Sequence, residues 1–144
     1  MKLFLAKYTL FVLILALINF IVKGQFFSLS PFIIALQLAA VLLLVWARLT
    51  FGNQEFSIAA EPGSGPLIQR GPYKLMRHPM YTGGLLLVWS SVLGHWSLSN
   101  PLIALAVTVV VLLKIRLEEG LLRERYPDYT EYASRTKRLI PYIY

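Results

Sequence analysis

The feature that most constrains this chain is the gathering of its apolar residues into long runs. From Leu3 to Val22 it reads LFLAKYTLFVLILALINFIV, and from Pro31 the run PFIIALQLAAVLLLVW leads on toward Phe51. A helix of about 20 apolar residues crosses the ~30 Å hydrocarbon layer of a bilayer, so each run reads as a span. Lys7 is the one charge in the first, close enough to its start to snorkel to the interface. A cleaved signal peptide also opens on basic residues and an apolar stretch. This stretch is longer than an h-region, however, and KGQFFSLS after it lacks a small-x-small cleavage site. The second run opens on Ser30-Pro31, a helix-start signal, and Arg48 closes it.

Composition then excludes a soluble domain. Hydrophobic residues are 57% of the 144 and charged residues 15%, and seven acids with fourteen bases cannot cover a globular surface when the apolar residues are so clustered. The length allows one domain, 1–144, without room for a separate soluble catalytic module, so any activity sits on the membrane unit itself. The absence of cysteine removes disulfides, thiolate metal sites and cysteine nucleophiles. His78 and His95 are the only histidines, far apart and without an acidic cluster, and no metal site is expected. The net charge of +7 points to topology and anionic lipid head groups rather than to nucleic acid.

Apolarity returns over Tyr81 to Trp96 and over Pro101 to Ile115, with GHWSLSNP between them as a turn joining antiparallel helices. The last of these continues through KIRLEEGLLRER until Tyr126-Pro127 stops it. A short amphipathic helix over about Asp128 to Lys137 then lies at the interface, with Tyr129, Tyr132 and Ala133 on one side. The expected fold is an all-α integral-membrane bundle of about four spans (3–22, 31–51, 81–96, 101–118), with a structured cytoplasmic loop and a C-terminal interfacial helix.

Basic residues orient it. Lys2 and Lys7, then Arg48, Arg70, Lys74 and Arg77, then the bases from Lys114 to Arg138 fall on one side, whereas the loop after the first span has only Lys23 and the turn near His95 has none. Both termini and the central loop are therefore expected in the cytoplasm, in a prokaryotic inner membrane. The polar segments 52–80 and 114–142 then share one face and can build a single site.

The first of those segments, NQEFSIAAEPGSGPLIQRGPYKLMRHPMYTGG, mixes aromatics, bases and a histidine with glycine and proline, which reads as a shaped structure rather than a linker. An anchoring loop and a ligand site are equally good readings of its spacing. Its GSG has no following G and no βαβ context, so a dinucleotide fold is excluded, and no serine is spaced to pair with His78 in a triad. In the second segment Lys114 and Glu118, and Glu119 and Arg123, stand four apart, as in ordinary ion pairs on a solvated helix end. That reading suits Glu119 and Arg123. It suits Lys114, Arg116 and Glu118 less, because they follow directly on an apolar run, where ionisable groups line polar cavities.

GPYKLMRHPMYTGG, an apolar hairpin, and RLEEGLLRERYPDYTEYASRTKRLIPY together resemble the isoprenylcysteine carboxyl methyltransferase and phospholipid N-methyltransferase group of integral-membrane enzymes. The resemblance covers roughly Gly52 to Tyr142 and lies in the order G-x-Y-x-x-x-R-H-P-x-Y-x-G, two helices, an E-E pair, Tyr-x-x-Tyr and a terminal Ile-Pro. It implies S-adenosyl-L-methionine as cofactor, held by backbone at Gly65, Pro66, Leu67 and Ile68, by Tyr73, His78, Pro79, Met80 and Tyr81, and by Glu118 as acidic ligand. The family's substrate-orienting arginine falls on Lys114, with Arg116 two residues on, and either takes that role. The implied reaction is direct methyl transfer to a lipophilic or prenylated acceptor, carboxylate or amine, entering from the membrane. An amine would have to be deprotonated, with His78 or Glu118 as base. A shorter R-H-P-x-Y stretch also occurs in NADPH-linked membrane sterol reductases, which makes a reductase the alternative enzyme class and a non-catalytic scaffold the third reading.

Overall fold

The computed structural model describes residues 2–52 and 66–144, and of 2–7 the backbone alone. The described residues form five α-helices and no strand: α1 (Lys2–Val22), α2 (Pro31–Phe51), α3 (Pro79–Gly94), α4 (Ser99–Arg125) and α5 (Tyr129–Arg135), with one turn of 3-10 helix at Gly71–Lys74 ahead of α3. Local chemistry sets most boundaries. Pro31 and Pro79 each occupy the first turn of their helix, where a missing N–H costs nothing. Gly52, at φ +66°, ends α2, its N–H returning to the Arg48 carbonyl at 3.2 Å. Tyr126, extended before Pro127, ends α4.

The third and fourth helices start two residues earlier than the apolar pattern indicates, because proline and polar residues serve as their first turns. The fourth runs past its apolar part to Arg125 and ends at Tyr126-Pro127, as the sequence indicates. Among the described residues α2 and α4 are long and apolar enough to cross a membrane, while α1 over Tyr8–Val22 is apolar but shorter and α3 has 16 residues. Most of the apolar window of α2 and α4 faces outward, with Leu42, Leu49 and Leu102 among the exposed side chains. The core of a soluble protein would bury them.

Helix α3 is the centre of the bundle, packed mainly on α2 and also on α4 and α1, while α1 lies along α4. Two glycines allow that closeness: a Cβ on Gly83 would stand 2.7 Å from Leu44 Cγ and 3.1 Å from the Ala40 carbonyl, and one on Gly84 2.8 Å from Leu13. The core lies between α1, α3 and α4, around Leu13, Leu85, Val107, Val111 and Ile115. Leu139, beyond α5, inserts into the same cluster and draws the C-terminal segment onto the bundle end. There α5 (Tyr129–Arg135) falls within the expected 128–137. Its Tyr129 and Tyr132 are buried against protein.

Candidate functional site

Three pieces of chain meet at this end: the stretch from Gly71 to Thr82, the last turns of α4, and the segment from Tyr129 to Leu139. Gly71 takes φ +58°, and an added Cβ would fall 2.5 Å from Thr50 Oγ1, so glycine lets the 3-10 turn settle on the end of α2. The Tyr132 hydroxyl donates to the Tyr73 carbonyl at 2.6 Å. Beyond it a single parallel bridge joins Met76 to Lys137. The Arg77 N–H donates to the Lys137 carbonyl at 2.7 Å and the His78 N–H to the Arg138 carbonyl at 3.0 Å. The described ends of the two polar segments, Gly71–Thr82 and Tyr129–Leu139, are thus joined to each other.

His78 directly precedes α3, with its carbonyl receiving the Thr82 N–H at 3.1 Å and its side chain 7% exposed. Its imidazole lies between the paired glutamates, Nδ1 3.6 Å from Glu118 Oε2 and Nε2 3.6 Å from Glu119 Oε1. Both separations exceed a hydrogen bond, and Nε2 is a buried polar atom without a hydrogen-bond partner. One turn into α3, the Tyr81 hydroxyl donates to Glu118 Oε1 at 2.7 Å. Lys114 Nζ approaches the same oxygen at 3.5 Å and lies 5.9 Å from the Tyr81 ring centroid. A cation, a phenol and an imidazole therefore converge on Glu118, whose side chain is 16% exposed.

Glu119 faces elsewhere. It is 1% exposed and receives Arg77 Nε at 2.7 Å, Arg138 Nε at 3.1 Å and an Arg123 Nη2 at 3.4 Å. Arg77 also donates to the Ala133 carbonyl at 3.0 Å and to the Thr136 carbonyl. The pair Glu119 and Arg123 is thus not the exposed ion pair that its spacing indicates, because the carboxylate is buried under two further guanidiniums from distant segments. Burial alone would lower the Arg138 pKa, but Glu119 outweighs it and holds the guanidinium above its ordinary value. Burial pushes the Tyr132 hydroxyl up to about 12 against the opposing Arg77, and raises the Tyr73 and Tyr129 hydroxyls as well. These phenols stay neutral near neutral pH; the Tyr132 hydroxyl donates a hydrogen bond, whereas that of Tyr129 is buried without a partner.

Of the residues singled out in the sequence, the structure gathers His78, Tyr81, Lys114 and Glu118 into one constellation. The Tyr73 carbonyl accepts from the Tyr132 hydroxyl of α5, and Pro79 is buried at the start of α3. Pro66, Leu67 and Ile68 lie in the coil that enters the 3-10 turn, exposed to half-buried, and Gly65 lies outside the described residues. Arg116 is on the exposed face of α4, two residues from Lys114 and turned away from it. Met80 faces an almost wholly apolar cleft of about 200 Å³ between α1, α2 and α3, whose other walls include Leu10, Leu13, Leu44 and Tyr81. Tyr81 is thus shared by the cleft and the polar constellation. Arg77, Glu119, Tyr132 and Arg138 were not among the expected site residues, although Arg77 lies inside the R-H-P motif and Glu119 inside the E-E pair. Among the described residues no group of three or more histidine, aspartate or glutamate side chains is placed to hold a metal ion.

The sequence pattern of the phospholipid methyltransferase family matches residues 26–129, which take in α2, α3, α4 and the connection between α2 and α3. Among individual relatives, a cobalt-zinc-cadmium resistance protein of Cupriavidus metallidurans is 29% identical over 121 residues, 78% of this chain and 50% of that protein. Protein-S-isoprenylcysteine O-methyltransferase B of Arabidopsis thaliana is 38% identical over 82 residues, 54% of this chain and 40% of that one. A probable protein-S-isoprenylcysteine O-methyltransferase of Oryza sativa subsp. indica is 39% identical over 82 residues, 54% and 41% of the two chains. The chain spans about half the length of these curated relatives or less. No solved structure matches it.

Proposed function

The chain belongs to the phospholipid methyltransferase family, and on that premise we propose that it transfers a methyl group from S-adenosyl-L-methionine to a lipophilic or prenylated acceptor drawn from the bilayer. The observation that carries this reading is the position of Tyr81, one face of which closes an apolar cleft while its hydroxyl bonds Glu118. A polar site with an apolar annex beside it suits an amphiphile. The same residues suit the donor: its ammonium and sulfonium call for a carboxylate, and its own carboxylate calls for cations and N–H donors. Glu118 meets the first need. The unpartnered His78 Nε2 and backbone N–H groups meet the second. Tyr73, Pro79, Met80 and the backbone of 66–68 complete the pocket.

When bound, the donor supplies a methyl group on an activated leaving sulfur. The protein's own task is to align the acceptor and exclude water. Lys114 is buried and directed at Glu118, so it is the base that orients an acceptor carboxylate, while Arg116 on the outer face of α4 meets lipid head groups. For an amine acceptor His78 takes the proton. All four long helices traverse the bilayer in this reading, with the His78 and Glu118 end and both termini on the cytoplasmic side.

Incubation of the purified protein with methyl-labelled donor and total membrane extract tests the activity. Label is expected in a chloroform-soluble lipid or a lipidated protein. Retention of all label in the donor, with a related methyltransferase active in the same extract, contradicts the proposal.

A further inference from the structure

The segment from Tyr129 to Leu139 is held mainly by the stretch that contains His78. The Tyr132 hydroxyl reaches the Tyr73 carbonyl at 2.6 Å, the Lys137 and Arg138 carbonyls take the N–H groups of Arg77 and His78, and the Thr82 hydroxyl reaches the Leu139 carbonyl at 2.8 Å. Both of these pieces must in turn be registered on α4, which carries Glu118. Among the described residues Glu119 is the α4 side chain whose carboxylate bonds an arginine from each, Arg77 at 2.7 Å and Arg138 at 3.1 Å. Arg77 extends the connection by donating to the Ala133 and Thr136 carbonyls.

A carboxylate 1% exposed, facing an arginine 9% exposed, is costly to desolvate, and such pairs are weak contributors to stability compared with apolar packing. Their use is to fix geometry. Here the geometry fixed is that of the residue next in sequence to Arg77. The His78 backbone is set by its N–H bond to the Arg138 carbonyl, and its imidazole stands between the glutamates, Nδ1 3.6 Å from Glu118 and Nε2 3.6 Å from Glu119, both beyond hydrogen-bond distance. We propose that Glu119 is a positioning residue: it straps the Tyr129–Leu139 segment and the Arg77–His78 backbone onto α4, and so presents the His78 imidazole to the ligand held by Glu118. The inference rests on the reading of that constellation as the methyl-donor site.

Two readouts test it, donor titration by calorimetry and site-resolved trypsin cleavage after Arg135, Lys137 and Arg138, both on the full chain in detergent. Glu119→Gln should keep the number of donor sites per chain near that of the unsubstituted protein, weaken donor affinity tenfold or more, and speed cleavage in the segment severalfold. Arg77→Lys, which keeps the charge but loses the fork spanning Glu119 and the two carbonyls, should move both readouts the same way. A fall in site number at unchanged affinity would mean Glu119 serves folding alone and would overturn the proposal, as would unchanged affinity and cleavage. If Glu119→Gln does not fold, Arg138→Gln at the partly exposed rim carries the same two expectations and the same two refutations. Faster cleavage in a protein whose unsubstituted form takes up no donor would remove the methyl-donor reading and with it the positioning role, leaving only a structural strap.

Discussion

A histidine stands at each end of α3, and each has one buried nitrogen without a hydrogen-bond partner, Nε2 in His78 and Nδ1 in His95. Their surroundings differ in kind. Around His95 the polar groups are neutral and answer one another: the Asn100 amide donates to the His95 carbonyl at 2.7 Å and to Gln25 at 3.1 Å, while Gln37 donates to the Phe26 carbonyl at 2.6 Å. Around His78 the groups are acids and bases, with Glu118 and Glu119 facing Lys114, Arg77, Arg123 and Arg138. Counting charges, two carboxylates meet four bases. The neutral end closes the helical turns through these bonds. The charged end keeps bases in excess of acids beside an apolar cleft, which suits the proposed ligand site.

The contrast can be broken most severely by removing the two imidazoles in turn. His78→Ala should weaken donor binding about a hundredfold or more, and His95→Ala should leave it within about twofold, as measured by equilibrium dialysis. Equal losses would mean that the two ends do not differ in function. Asn100→Ala addresses the neutral end. It strips partners from the His95 carbonyl and Gln25, and an unsatisfied buried polar group costs about 1–3 kcal/mol, so the unfolding midpoint in denaturant should fall while donor affinity stays.

A smaller effect comes from Tyr132→Phe, which deletes the bond to the Tyr73 carbonyl and should cost about 1 kcal/mol. It also carries a pH signature. The Tyr132 pKa is about 12 in the folded protein against an ordinary 10.0, so its contribution is complete below about pH 10 and is lost as pH rises through about 12. Alkaline release of the C-terminal segment should therefore be less steep in the variant, followed by trypsin cleavage across that range. An unchanged slope would assign the alkaline transition to Tyr73 and Tyr129 instead.

How much of this was legible depended on how local the cause was. Helix α2 is where the sequence puts it, because Ser30-Pro31 and Gly52 are start and stop signals within the segment itself. His78, Tyr81 and Glu118 were legible from their motifs, and the short spacing within each segment keeps them near the bundle end. The surroundings of Glu119 were not. Its visible partner, Arg123, is four residues away, whereas Arg77 is 42 residues distant and Arg138 is 19, and neither pairing leaves a local pattern. The same holds for the contact of α5, whose Tyr132 bonds the Tyr73 carbonyl 59 residues away. The choice between Lys114 and Arg116 is a matter of helix phase. Two residues along a helix turn a side chain by about 200°, so once α3 packs on the Lys114 face of α4, Arg116 must point outward.

The central claim is that the constellation around Glu118 holds a methyl donor, and titration of the purified protein with S-adenosyl-L-methionine, alongside its Glu118→Gln variant and a parallel titration with NADPH, tests it most directly. The account predicts saturable binding of one donor per chain, its loss in Glu118→Gln with the helical content unchanged, and no uptake of NADPH. Donor affinity equal in the two proteins, or binding of NADPH in place of the donor, would contradict it.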